Sequence, residues 1–286
     1  RFGDELVDHY TYALAGDGCL MEGVSHEAAS LAGHLGLGKL IVLFDDNEIT
    51  IDGATSLSVS DDQCARFEAY GWDVSRVDGH DPDALQATIA AARLSDRPSL
   101  IAARTKIGYG APTKAGTSGA HGAPLGDEEI AAARVAMNWP HAPFEIPDDV
   151  AAAWQAVGAR GNAASAAWEE RFEALDQDDR AAFERAMSGD LPAGIIEAMA
   201  DYRRQVAEDK PQLATRAASG KALEVINSVV AETIGGSADL TGSNNTLTPD
   251  LGMITAEDFS GRYINYGVRE HAMAAVMNGL ALHGGF

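Results

Sequence analysis

The first chemical signal is a pair of residues 30 positions apart, Asp17 in Gly16-Asp17-Gly18 and Asn47 at the end of Asp45-Asp46-Asn47. That separation is about one β–α–β unit, so both can sit at the carboxyl ends of neighbouring parallel strands, where open α/β sheets bind ligands. A carboxylate and an amide oxygen are hard donors suited to Mg2+ or Ca2+. Gly18 removes a side chain where a helix N-terminus could meet a phosphate. A lone Gly-Asp-Gly is ordinarily a tight turn with solvated acids. The Asp46-Asn47-Glu48-Ile49 step at the end of the next strand pattern favours the ligand reading.

Two further groups stand out. Tyr266-Gly267-Val268-Arg269-Glu270-His271 puts Glu270 in the first turn of an Ala- and Met-rich helix. It is either an acid answering the helix dipole or a partly buried Glu of raised pKa, able to share a proton. The stretch Gly108–Gly126 holds six glycines and two prolines in 19 residues. Long loops in compact domains are usually functional. Its His121, in Gly119-Ala120-His121-Gly122-Ala123-Pro124-Leu125-Gly126, is a candidate ligand contact. His9, His26, His34, His80, His141 and His283 carry no such setting. Lys106, Arg216 and Ser243 have the chemistry to hold phosphate.

The elements that must position these groups follow from periodicity. Tyr10–Ala15 reads as a strand ending at the Gly-Asp-Gly step, and Leu20–Leu37 as a buried helix. Leu40–Phe44 is a continuous apolar run, the mark of a strand covered on both faces. Trp72–Val77 and Ser99–Arg104 are further strands. Between them Pro82–Leu94 is a helix with Asp81 as N-cap and Pro82 at its first position. The alternation predicts an α/β fold built on doubly wound parallel sheets. The Ala-rich, charged stretch from Asp148 to Glu208 reads as helices broken at Gly158–Gly161 and Gly189–Pro192. A second α/β pattern follows: helix Ala217–Val230, strands around Glu232–Ser237 and Arg262–Gly267, and a helix from Val268 to about His283.

Composition narrows the partners. The 286 residues carry 21 Lys+Arg against 43 Asp+Glu, a formal charge of -22, with 46% hydrophobic residues. The chain has enough apolar surface for a core, and its field repels nucleic acid and anionic membranes. A phosphate ligand therefore needs local basic groups, helix N-termini or a metal. The two cysteines, Cys19 and Cys64, rule out a disulfide scaffold and suit a reducing, cytoplasmic setting. No transmembrane run or signal peptide is found. Residue 1 is Arg, and both ends fall inside element patterns, so an internal fragment of a longer fold is expected.

Taken together, the motifs resemble the transketolase family of thiamine diphosphate enzymes. Gly16–Gly23 through Phe44–Gly53 is similar to the family's diphosphate-binding motif. Phe67–Trp72, Ile107–Gly110 and His121–Gly126 also match. In the second half, Gly235–Leu240 and Gly267–Glu270 are similar to the start of the pyrimidine-binding domain. The sequence departs from the family at Ala111-Pro112-Thr113, where Ser-Pro-Asn is usual, and at Gly242, where a Pro is common.

The resemblance implies thiamine-diphosphate-binding folds: a diphosphate-binding part over residues 1–185, a helical linker over 186–212 and the start of the pyrimidine-binding part over 213–286. It implies that Asp17 and Asn47 ligate Mg2+, or Ca2+ in its stead, with the backbone oxygen of Ile49. Gly18 and Asn47 would contact the diphosphate, Ile107 would pack near the cofactor rings, and Asp239 would support binding across a homodimer interface. His121 would touch diphosphate and sugar near the reactive carbon. Arg216 and Ser243 would hold the sugar phosphate, and Glu270 would hydrogen-bond the aminopyrimidine and so promote the ylide. The implied reaction is transfer of a two-carbon ketol unit between sugar phosphates, with the site shared by two subunits. Deoxyxylulose-phosphate synthase, dihydroxyacetone synthase and a non-catalytic derivative are the rival readings. The chain alone is expected to be inactive.

Overall fold

A computed structural model describes residues 2–286. The chain divides into two compact units. One comprises His9–Glu169; the other joins the residues up to Asp8 with Glu170–Phe286.

The first unit is built on four parallel strands, β1 (Thr11–Gly16), β2 (Leu40–Asp46), β5 (Asp73–Asp78) and β6 (Ser99–Arg104), in the order β1-β2-β6-β5. A small antiparallel hairpin, β3 (Ile49–Thr50) and β4 (Gly53–Ala54), follows β2. The helices are α1 (Asp17–Met21), α2 (Gly23–His34), α3 (Gln63–Ala69), α4 (Pro82–Ala92) and α5 (Asp127–Ala136), with α6 (Asp148–Glu173) running to the second unit. The parallel sheet with helices on both faces is the expected α/β architecture.

Strand periodicity sorts the core. Leu100 and Ala102 of β6 join Phe44, Leu20, Ala29, Phe67 and Trp72 on one face. Ile101 joins Ile41 and Ala92 on the other. β6 is buried from Ser99 to Ala103, as a central strand of a covered sheet should be. Trp72 donates its indole N–H to the Ala29 carbonyl at 2.8 Å and meets Phe67 edge-on at 4.9 Å. Asp81 caps α4 as expected, accepting from the amides of Asp83 and Ala84 at 3.0 Å.

Three expectations are corrected. The helix expected over Leu20–Leu37 is two helices, because Glu22 is extended between α1 and α2. The freed carbonyls find other donors: Arg66 Nη2 donates to Leu20 O at 3.0 Å, and the Ser25 amide and hydroxyl donate to Glu22 O at 3.0 and 2.8 Å. The break expected at Gly158–Gly161 is absent, and α6 runs through all 26 of its residues. Two interior glycines weaken a helix by about 1 kcal/mol each, too little to stop one this long. The helix expected from Val268 begins at Glu270, after Gly267 at φ +62°.

The second unit contains α7 (Gln177–Ser188), α8 (Ile195–Asp209), α9 (Thr215–Val229), α10 (Thr241–Asn244) and α11 (Glu270–His283), with β7 (Gly235–Ser237) and β8 (Tyr263–Asn265) paired in parallel. α7 ends as anticipated at Gly189, left-handed at φ +75°. Arg262 caps the end of α9, donating to Val230 O at 2.9 Å and Asn227 O at 3.0 Å. Tyr263 is fully buried, its hydroxyl shared by Thr241 and Thr246 at 2.7 and 2.8 Å.

Candidate functional site

The register of the first sheet decides what meets at its carboxyl edge. Gly16 lies opposite Asp45, and Asp46 opposite Arg104. Strand β1 passes without a turn into α1, so Asp17 is the first residue of that helix. Its Oδ2 accepts from the amides of Asn47 at 3.2 Å and Glu48 at 3.1 Å. Burial, and secondarily the carboxylates of Asp46 and Asp45, hold the Asp17 pKa above the ordinary aspartate value against the lowering effect of those amides. A cation beside it would reverse that effect.

Asn47 closes an Asx turn, its Oδ1 accepting from the Ile49 amide at 3.0 Å, while its Nδ2 donates to Asp45 at 3.1 Å. Ile49 thus begins the β3 strand directly beside the Asp17–Asn47 pair. Gly18 is exposed, and a Cβ built on it meets no atom within 4 Å. Neither packing nor a positive φ requires glycine there. Asp17, Asn47 and Ile49 line a cleft of about 790 Å³, together with Arg104, Thr105 and Lys106.

The remaining residues of this unit stand on the glycine loop. Ile107 is half-buried, and its carbonyl accepts from Gly116 at 2.8 Å. His121 is exposed at the end of a single 3-10 turn, Ser118–Ala120. It does not line the cleft. Glu129 of α5 anchors the loop, accepting from the Thr113 amide at 2.7 Å, the Thr113 hydroxyl at 2.8 Å and the Lys114 amide at 3.0 Å. Lys114 in turn donates to the carbonyls of Pro124 at 3.2 Å and Leu125 at 2.8 Å, just past His121.

Asp239, Ser243, Arg216 and Glu270 belong to the second unit, and all four are exposed. Asp239 follows β7 in a left-handed conformation at φ +64°, on a turn held by the Ser237 hydroxyl. Ser243 lies in α10, and Arg216 is the second residue of α9. Glu270 begins α11 just beyond β8, so it and Asp239 follow the carboxyl ends of adjacent parallel strands. The partly buried setting considered for Glu270 is not found in the chain itself.

Sequence reading named Asp46 and Glu48 only as members of the motif and missed Arg104 and Thr105, which hold them. Arg104 pairs with Glu48, and with Asp46 at 3.3 Å. The Thr105 hydroxyl donates to Asp45. Their shared signal is position, one strand end beside another. Two histidines also proved to be structural: His26 lies against the Arg66 guanidinium, and His80 stacks on Tyr109 with ring centroids 4.0 Å apart. Among the described residues, no three His, Cys, Asp or Glu side chains converge as a metal group. An ion held by Asp17 and Asn47 would complete its shell with backbone, ligand or water oxygens.

Comparison with known proteins places the chain in a family. The family described as transketolase, thiamine diphosphate binding domain, matches residues 1–192, and that described as transketolase, pyrimidine binding domain, matches residues 211–286. A transketolase of Cereibacter sphaeroides is 55% identical over 285 residues, covering 100% of this chain and 43% of that protein. One from Sinorhizobium medicae is 52% identical, covering 100% of this chain and 41% of that one. Among solved structures, a transketolase from Leishmania mexicana superposes with a TM-score of 0.90 at 41% identity, over 100% of this chain and 43% of that one. A Pichia stipitis transketolase in complex with sedoheptulose-7-phosphate gives 0.89 at 41%, over 96% and 42%. The chain spans well under half the length of these relatives.

Proposed function

The chain belongs to the transketolase family, and we propose that it is part of an enzyme that moves a two-carbon ketol unit from a ketose phosphate to an aldose phosphate, using thiamine diphosphate and Mg2+. The observation that carries this reading is the Asp17–Asn47 pair at the carboxyl ends of β1 and β2. The donors there are hard oxygens, and Asp17 sits in an acidic, half-buried setting that a cation relieves. Gly18 leaves open space beside them for a diphosphate oxygen. These residues fit a Mg2+–diphosphate head, with the Ile49 carbonyl as a third protein ligand. We assign residues 1–185 to the diphosphate-binding part, 186–212 to a linker and 213–286 to the start of the pyrimidine-binding part.

When bound, thiamine diphosphate supplies the electron sink that the C–C cleavage needs. The work of this chain is placement and proton control. Asp17, Asn47 and Gly18 hold the charged head. Ile107 packs against the ring system, and His121 orients the sugar and bonds its oxygens near the reacting carbon. Arg216 and Ser243 hold the sugar phosphate. Glu270 would hydrogen-bond the aminopyrimidine ring nitrogen and share its proton there. In this reading the enzyme is a cytoplasmic homodimer with its site between subunits. The exposure of Glu270 and Asp239 leaves both free to meet the cofactor, with Asp239 supporting it across the interface.

The test is an assay of the full-length protein with xylulose 5-phosphate and ribose 5-phosphate, with and without thiamine diphosphate and Mg2+. A seven-carbon ketose that depends on both cofactors is the expected product. Cofactor-dependent consumption of pyruvate and glyceraldehyde 3-phosphate, without ketol transfer, would replace this reading with a synthase.

A further inference from the structure

The loop that joins β2 to β3 contains a backbone conformation that its sequence disfavours. Glu48 has φ +60°, in the left-handed region that an unbranched charged residue rarely occupies. Both of its backbone groups are committed. Its N–H donates to Asp17 Oδ2 at 3.1 Å, and its carbonyl accepts from the Thr55 amide at 2.9 Å. The left-handed turn therefore sets where Asp17 is held and how the neighbouring Asn47 and Ile49 are presented.

What holds Glu48 in that state comes from the end of β6. Arg104 reaches the Glu48 carboxylate through one guanidinium nitrogen and Asp46 through the other. The Glu48 pairing holds that carboxylate below its ordinary pKa. The next residue adds two contacts to the same loop. The Thr105 amide donates to Asp46 O at 3.1 Å, and its hydroxyl to Asp45. Arg104 is half exposed, so each ion pair is individually weak. Together they have leverage, because one guanidinium spans Asp46 and Glu48 and so ties the side chain of a residue whose intrinsic preference is to leave the left-handed region to the end of the preceding strand.

We propose that Arg104 is a positioning residue for the cation and diphosphate site, acting by holding Glu48 left-handed so that Asp17, Asn47 and Ile49 stay in binding geometry. The inference deepens the functional reading above and rests on it.

Two double variants separate conformation from charge. In the full-length protein, Arg104→Ala leaves Glu48 unpaired and is expected to weaken Mg2+-dependent thiamine diphosphate binding, measured by calorimetry, about three- to tenfold. Adding Glu48→Gly restores the local charge and supplies a residue that accepts positive φ freely, so affinity should return. Adding Glu48→Gln restores the charge alone, and affinity should stay low. Equal rescue by both would assign the effect to electrostatics and overturn the proposal. So would rescue by neither, or unchanged binding in Arg104→Ala. If the unmodified protein itself fails to bind thiamine diphosphate with Mg2+, it is the cofactor reading that falls.

Discussion

Asp17 Oδ2 lies 3.2 Å from the backbone nitrogen of Asn47, a hydrogen bond that ties the ends of two adjacent parallel strands across 30 residues of chain. The bond uses one carboxylate oxygen for structure. Asp17→Asn keeps an acceptor for the amides of Asn47 and Glu48 and removes a charge that burial and two neighbouring acids disfavour. The variant should fold with an unchanged or higher Tm. Its Mg2+-dependent cofactor affinity should fall by about tenfold or more, as when a metal site loses a ligand or its support. Calorimetry and thermal melting on the same samples check both halves. A parallel loss of stability and binding would mean that Asp17 is structural only.

Gly18 offers a cleaner separation. A methyl group there meets no atom within 4 Å and sits on a helical residue, where Ala is favoured over Gly by up to about 1 kcal/mol. Gly18→Ala should therefore leave the fold as stable as before or slightly more so. If a diphosphate oxygen approaches this backbone, the same methyl will exclude it. We expect cofactor affinity to drop at least about tenfold, since the lost contacts are charge-assisted. Full affinity in the variant would remove Gly18 from the site.

Gly33 behaves oppositely. It lies on α2, where Ala would ordinarily be the better residue, yet a Cβ would stand 1.9 Å from the Tyr70 carbonyl oxygen. The obstacle is backbone and cannot rotate away. Overpacking wins over helix propensity, and Gly33→Ala should destabilise by about 3 kcal/mol or more. Denaturant melts measure this directly. A loss below about 1 kcal/mol would show that the helix can slide away from the Tyr70 turn.

The elements that frame the site were legible because their signals are local. The apolar run at Leu40–Phe44, the strand at Ser99–Arg104 and the Asp81 cap all read directly from side-chain type and spacing. The Asp17–Asn47 meeting followed from one β–α–β unit. Arg104 was not legible, because its approach to Glu48 depends on the β2–β6 register, which joins Asp46 to a residue 58 positions away. The Glu22 break was hidden for a related reason. Donors from Ser25 and the distant Arg66 take up the freed carbonyls, and nothing in the helical period announces the break. The continuity of α6 was lost in the other direction, since two glycines were given more weight than 26 residues of favourable pattern support. Burial of Glu270 was the least accessible, because exposure depends on what packs against it and not on its neighbours in sequence.

The loop bearing His121 should respond to acid. Amide donation from Thr113, followed by its hydroxyl, holds the Glu129 carboxyl below the ordinary glutamate range. A depressed carboxylate contributes its stabilisation fully above the ordinary value and loses it as pH falls through the depressed one. The Thr113 amide proton, followed by NMR, should titrate with a midpoint below the ordinary glutamate range, and Glu129→Ala should abolish that step. The same variant should make the segment 108–126 several-fold more sensitive to protease at neutral pH, because Lys114 and its hold on Pro124 and Leu125 lose their anchor. A midpoint at or above the ordinary range would mean that the clasp is not populated in solution.

Glu270 puts the chemistry itself at stake. It is exposed at the first turn of α11. Glu270→Ala in the full-length protein should leave Tm nearly unchanged, because only an exposed helix-dipole interaction is lost. Turnover should fall by about 100-fold or more, the usual range for a positioned proton-transfer group. Cofactor affinity should fall far less, since in the proposed reading Asp17 and Asn47 hold the opposite end. Glu270→Gln sharpens the comparison: it keeps the size and a hydrogen-bonding amide but has no carboxyl proton to share. If Gln restores turnover, Glu270 only orients the ring. If both variants are equally slow while the cofactor stays bound, proton sharing by Glu270 is the step that was lost.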